Sequence, residues 1–155
     1  MKIEKAEVVD LWKILNLQKL SFKSEAELYN DYNIDPLKQT IEEIKEEYKK
    51  KIFLKASLGE ELVGTVRLEC KGDVCHIQKL AVHPDFQNQK IGTALMREAE
   101  KYFPQAKVFE LYTGHKSDKN LKFYKKLGYE VFKVEVVKDH MHFMFFRKYT
   151  DKQTG

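Results

Sequence analysis

The chain has 155 residues, 43% hydrophobic and 12% aromatic, which suits one globular domain with its own core and argues against disorder. Its 28 basic and 24 acidic residues give a formal charge of +4, and lysines and glutamates interleave along the helices instead of forming a basic stripe, so no nucleic-acid partner is expected. No apolar run reaches the length of a membrane span, the opening MKIEKAEVVDLW lacks the apolar centre of a secretory leader, and the two cysteines suit a reducing compartment, so a cytoplasmic protein without membrane contact is expected.

In chain order, Lys2 to Glu7 can form a first strand. Val8 to Leu20 has the spacing of an amphipathic helix, with Val8, Leu11, Trp12, Leu15 and Leu20 set to face inward. Ser21 to Gln39 reads as irregular, aromatic and acidic. Thr40-Ile41-Glu42-Glu43 has the form of a capping box, which predicts a charged helix to about Lys50. Lys51–Leu58 and Glu61–Cys70 form a hairpin at Gly59-Glu60, and Asp73–Val82 pairs back through Lys71-Gly72-Asp73. A helix over 91–103 ends before Pro104, and Lys107–Thr113 is the next strand. A further helix runs from an N-cap at Ser117 to a stop at Gly128. Tyr129–Val137 and Met141–Lys148 close the chain as a hairpin at Lys138-Asp139-His140. The whole is a single domain over 1–149 with a flexible tail at 150–155. Cys70 and Cys75 flank a turn and can face each other, but free thiols are the expected state in a reducing compartment. With His76 they lack a second ligand pair at zinc spacing, so no metal is expected.

Two stretches carry chemistry. Leu80 to Phe103, LAVHPDFQNQKIGTALMREAEKYF, reads as strand, polar loop and a helix opened by the small residues of Ile91-Gly92-Thr93-Ala94. Free N–H groups and the positive end of the dipole make such a helix start an anion site, and small residues let a ligand approach the backbone. Farther on, ELYTGHKSDKNLKFYKKLGYE places Leu121, Tyr124 and Leu127 on one helical face.

The two motifs, in this order, resemble those of the acyl-CoA-dependent N-acetyltransferase (GNAT) superfamily, over roughly residues 61 to 130. The element order β-α-α-β-β-β-α-β-α-β-β matches that superfamily's plan: an α/β (α+β) fold with a mixed, mostly antiparallel sheet and helices on both faces. The resemblance implies acetyl-CoA as co-substrate. It implies that Gln87, Asn88, Gln89, Lys90, Ile91, Gly92 and Thr93 wrap the pyrophosphate, with Lys90 standing where the family has a glycine. Asn120 would contact the pantetheine or phosphate arm, Phe123 would line the coenzyme site, Tyr124 would face the sulfur, and Leu80, Ala81 and Val82 would pair with the pantetheine like an extra strand.

The implied reaction is direct attack by an amine, and no Cys-His or Ser-His-Asp arrangement for a covalent intermediate is recognisable. Tyr124, with an ordinary pKa of ~10, is the expected proton donor to the departing thiolate. The base is left between His76, placed by strict alternation on one face with Gln78, Leu80 and Val82, Glu110 on the next strand, and a chain of waters. Phe22, Tyr29, Tyr32 and Asp31 in the 21–39 segment form an aromatic and acidic wall suited to a cationic amine, a small molecule or a peptide. A non-catalytic acyl-CoA-binding regulatory module is the alternative, and a homodimer through the last strands is open.

Overall fold

Hairpins build most of the sheet, and Gly59 and Gly72, both at positive φ, set the turns of two of them. In the computed structural model, which describes residues 1–150, the strands are β1 (Lys2–Lys5), β2 (Ile52–Leu58), β3 (Glu61–Lys71), β4 (Val74–Val82), β5 (Val108–Gly114), β6 (Glu130–Lys138) and β7 (Met141–Tyr149). They form one sheet in the order β1-β2-β3-β4-β5-β7-β6. Every pairing is antiparallel except β4 with β5. The helices are α1 (Leu11–Tyr29), α2 (Asp35–Lys38), α3 (Ile41–Tyr48), α4 (Ile91–Tyr102) and α5 (Asp118–Lys126). The expected plan is therefore met, with one short helix added.

Adjacent residues of β2 show how the layers divide. Leu54 belongs to a large apolar cluster with Val66, Leu68, Leu95, Met96 and Phe146, whereas Phe53 packs with Leu11, Ile14, Leu15 and Ile44. Successive strand side chains point to opposite faces, so α4 and α5 cover one face and α1 and α3 the other. The capping box at the start of α3 forms as the sequence predicts, with Thr40 and Glu43 bonding reciprocally. Gly128, at φ +97°, ends the helix before it.

Helix α1 differs from the expectation in two ways. It continues to Tyr29, because Phe22, Ala26 and Tyr29 extend a helical stripe that packs with Ile34 and Met141, and the left-handed Asn30 (φ 49°) stops it. Its inward face is Leu11, Ile14, Leu15, Leu17 and Gln18, while Val8, Trp12 and Leu20 are exposed. Val8 lies outside the helix, in a preceding 3-10 turn (Val8–Asp10), which shifts the register of the stripe.

Three further expectations are corrected. Cys70 and Cys75 sit directly opposite across the β3–β4 hairpin and are joined as a disulfide, so the argument from a reducing compartment does not describe this pair. Ser117 precedes α5 but does not cap it: its hydroxyl donates to Glu25 at 2.6 Å. Thr150 is anchored, its N–H and hydroxyl bonded to the Lys107 and Ala106 carbonyls, while the rest of the expected tail, 151–155, lies outside the described residues.

Candidate active site

Strand β4 does not keep its alternation. Its register against β3 shifts between Thr65 and Arg67, and Lys79 adopts a left-handed φ of 50°. This bulge explains why Ile77, Leu80 and Val82 all pack on the α4 face although their numbers differ in parity. His76 and Gln78 consequently face away from Leu80 and Val82, which corrects the shared face read from strict alternation.

Beside the bulge the sheet opens. β4 and β5 pair only over Val74–His76 and Val108–Glu110, after which β5 continues along β7 and β4 along β3. The last rung joins the two residues weighed as base, with His76 Nδ1 3.9 Å from Glu110 Oε1. Past it lies a cavity of about 330 Å³. Leu80, Thr113, Asn120 and Tyr124 line one end, and Phe22, Tyr29, Tyr112 and Phe143 form an aromatic wall. Tyr112 stacks on Phe143 with centroids 4.5 Å apart. Lys51, Gln78 and Lys79 line the far end.

Tyr124 lies against Phe123, Tyr129 and Phe146 and is 8% exposed. Burial, and then the nearby Glu25 carboxylate, push its phenol above the ordinary value, so it remains protonated through neutral pH. Glu25 accepts from Ser117 and lies 3.5 Å from the Asn120 amide, which also reaches Thr113 Oγ1 at 3.3 Å. Tyr29 is locked in place: its hydroxyl accepts from the Lys116 N–H at 2.8 Å, and its ring fills the space where a side chain at Gly114 would sit, a Cβ there meeting the Tyr29 oxygen at 2.0 Å.

The loop before α4 follows directly on β4. Lys90 takes φ 64°, ψ 18° directly before the first turn, so a lysine holds the left-handed conformation that glycine adopts without strain. Asn88 is also left-handed, at φ 65°. Gln87 accepts from Lys119 Nζ at 3.2 Å, tying the loop to the start of α5. A Cβ at Gly92 would come within 3.3 Å of the Phe123 ring, so the helix start and α5 pack more closely than a side chain there would allow without the ring giving way by a few tenths of an ångström. Ile91 is buried in the core, and Ala81 is buried on β4. The first N–H groups of α4 have no intrahelical partner, and Lys90 at the cap and Lys119 beside Gln87 complete a donor set that fits a pyrophosphate.

Of the residues singled out in the sequence, Tyr124, Asn120, Leu80, Phe22 and Tyr29 meet in the cavity. His76, Glu110, Tyr32 and Asp31 are not part of its lining. Tyr32 is exposed, and the Asp31 carboxylate is engaged by Lys138 and by His140 at 2.9 Å. Lys51, Gln78, Lys79, Tyr112 and Phe143 were missed. Their positions depend on the bulge and on strand register, although the alternating Phe143 and Phe145 of the last strand could have marked an aromatic wall.

A family model described as Acetyltransferase (GNAT) family matches residues 11–129. An uncharacterized N-acetyltransferase of Methanocaldococcus jannaschii is 34% identical over 95 residues, 56% of this chain and 41% of that protein, so the chain spans less than half of this relative's length. A spermidine N(1)-acetyltransferase of Thermoplasma acidophilum is 26% identical over 149 residues, covering 84% of this chain and 89% of that one. Among solved structures, the PaiA N-acetyltransferase of Thermoplasma acidophilum in complex with coenzyme A superposes with a TM-score of 0.77 at 21% identity, covering 97% and 100% of the two chains. The spermidine N-acetyltransferase of Vibrio cholerae, in complex with coenzyme A and spermine, gives 0.77 at 16% identity over 99% and 98%.

Proposed function

The chain belongs to the Acetyltransferase (GNAT) family, and we propose that it moves an acetyl group from acetyl-CoA to the primary amine of a small molecule or peptide, by direct attack and with Tyr124 as acid. The observation that carries this reading is the opening between β4 and β5 past His76 and Glu110, where a cavity lined by Leu80 and Asn120 reaches the phenol of Tyr124. Acetyl-CoA supplies an activated thioester. The free edge of β4 past Ile77 offers unpaired backbone groups to an extended arm, and the same N–H groups can polarise the carbonyl as charge develops on it.

An alkylamine is protonated at neutral pH and must lose that proton before it attacks. Glu25 is the carboxylate that faces the cavity beside Tyr124, and it is the base this geometry favours. His76 with Glu110, at the last rung before the opening, is the second candidate and would act through water. As the nitrogen bonds to the carbonyl carbon and the carbon–sulfur bond breaks, the Tyr124 hydroxyl donates its proton to the thiolate, and solvent restores it. The raised pKa keeps that donor neutral between turnovers.

Calorimetric titration with acetyl-CoA, followed by thiol release with a panel of amines, tests the reading. Tyr124→Phe should keep the affinity and lose about 10²-fold or more in kcat. Comparing the pH profiles of Glu25→Gln and His76→Ala separates the two bases. Binding without thiol release on any amine would instead support the regulatory module.

A further inference from the structure

The far end of the cavity carries an excess of positive charge. Arg67, 1% exposed, lies on the α1 face beneath it, over the Phe53 ring at 4.5 Å. Its guanidinium bonds Glu47 at 2.8 Å and Gln18 at 2.5 Å, and its Nε has no partner among the described residues. Glu47 also receives Lys51 at 2.7 Å and, more loosely, Lys79 at 3.6 Å. Three cations thus share one carboxylate, which leaves two positive charges uncompensated, and the two lysines line the cavity. The neutral members, Gln39 and Gln78, act as acceptors to these cations, Gln78 taking Lys51 at 2.6 Å and Gln39 lying 3.4 Å from Lys79.

Lys79 is the least satisfied of the three. It is also the residue in the left-handed bulge, the strained conformation that turns its side chain to this end. Burial, then the neighbouring Arg67, lower its pKa from the ordinary value, as expected of an ammonium short of counter-charge. Glu25 is held at the Tyr124 end, and Asp35 lines the cavity but is exposed and forms no ion pair with Lys51 or Lys79 among the described residues.

We infer that the acceptor is an amine that also bears an anionic group, a carboxylate or a phosphate, which seats between Lys51 and Lys79 while its amine reaches the Tyr124 end. This rests on the acetyl-transfer reading above. An anion there would make charge-assisted hydrogen bonds and offset the excess charge, whereas a polycation would add to it.

The experiment measures thiol release from acetyl-CoA by the full chain with amino acids, aminoalkyl phosphates, the matching amino acid amides, and spermidine. The expected result is a kcat/KM for an anionic amine above that for its amide. In Lys79→Met that preference should shrink by about tenfold or more, chiefly through KM, and Lys79→Arg should retain it. Amino acids against aminoalkyl phosphates decides which anion is read. A preference for spermidine or the amides overturns the inference and leaves the acetyltransferase reading intact. An equal loss with charged and uncharged acceptors in Lys79→Met makes the lysine structural and also overturns it. No calorimetric binding of acetyl-CoA overturns both readings.

Discussion

The two faces of the sheet solve different problems. Under α4 and α5 the core is one apolar cluster running from Leu54 to Phe146. Under α1 to α3 it is broken into two smaller clusters, one around Phe53 and one around Tyr29, with the Arg67–Glu47 group between α3 and the sheet. The first face offers a rigid wall against which a helix start and a phenol can be placed. The second is assembled from the long α1, two short helices and polar contacts, and it is the side to which the proposal above assigns the acceptor's charge. One face rests on packing, the other on packing together with charge balance.

Five measurements bear on that contrast. The largest effect is expected from Glu47→Gln, which strands Arg67, Lys51 and Lys79 without their shared carboxylate and should cost ~3–5 kcal/mol in denaturant unfolding. Leu95→Ala is its counterpart on the apolar face, and a cost of ~2–5 kcal/mol there should leave acceptor preference unchanged while Glu47→Gln alters it. Gly114→Ala puts a methyl group where the Tyr29 hydroxyl sits and should destabilise by ~1–3 kcal/mol, with a raised acceptor KM as the ring is displaced. Lys90→Gly relieves a left-handed lysine and should raise unfolding stability by ~0.5–1 kcal/mol, with acetyl-CoA affinity held or improved. The smallest effect concerns Asp31, whose carboxyl is held well below the usual range by Lys138 and then His140. Because the folded pKa is depressed, its contribution is complete above the ordinary value of ~3.9 and is lost as pH falls toward the folded one. The melting temperatures of wild type and Asp31→Asn should therefore differ at neutral pH and converge only in strong acid.

The apolar face was the legible one. Gly59-Glu60 and Gly72-Asp73 mark tight turns, the stripes of α4 and α5 follow helical spacing, and Gly128 ends a helix, all of them local rules. The face under α1 to α3 was harder to read, for physical reasons. Phe22, Ala26 and Tyr29 continue the helical stripe of α1, but the polar residues between them resemble a loop until Asn30 is recognised as a left-handed stop. The bulge at Lys79 has no glycine to announce it, and one inserted residue moved His76 off the face that alternation assigned to it. The disulfide depended on an exact cross-strand register, which a turn alone leaves open. In the candidate site, the loop before α4 and Tyr124 were singled out by motif, whereas the cationic end depends on residues brought together from α1, α3, the residue before β2, β3 and β4.

The break between β4 and β5 leaves the sheet as two half-sheets joined by three parallel rungs, from Val74–Val108 to His76–Glu110. An extended ligand laid in the gap would act as a missing strand and make the sheet continuous. Amide hydrogen exchange along residues 77–82 should then slow on binding while the rungs at 74–76 keep the protection they already have. Occupancy of the gap would thus be recorded by the backbone itself, without any turnover.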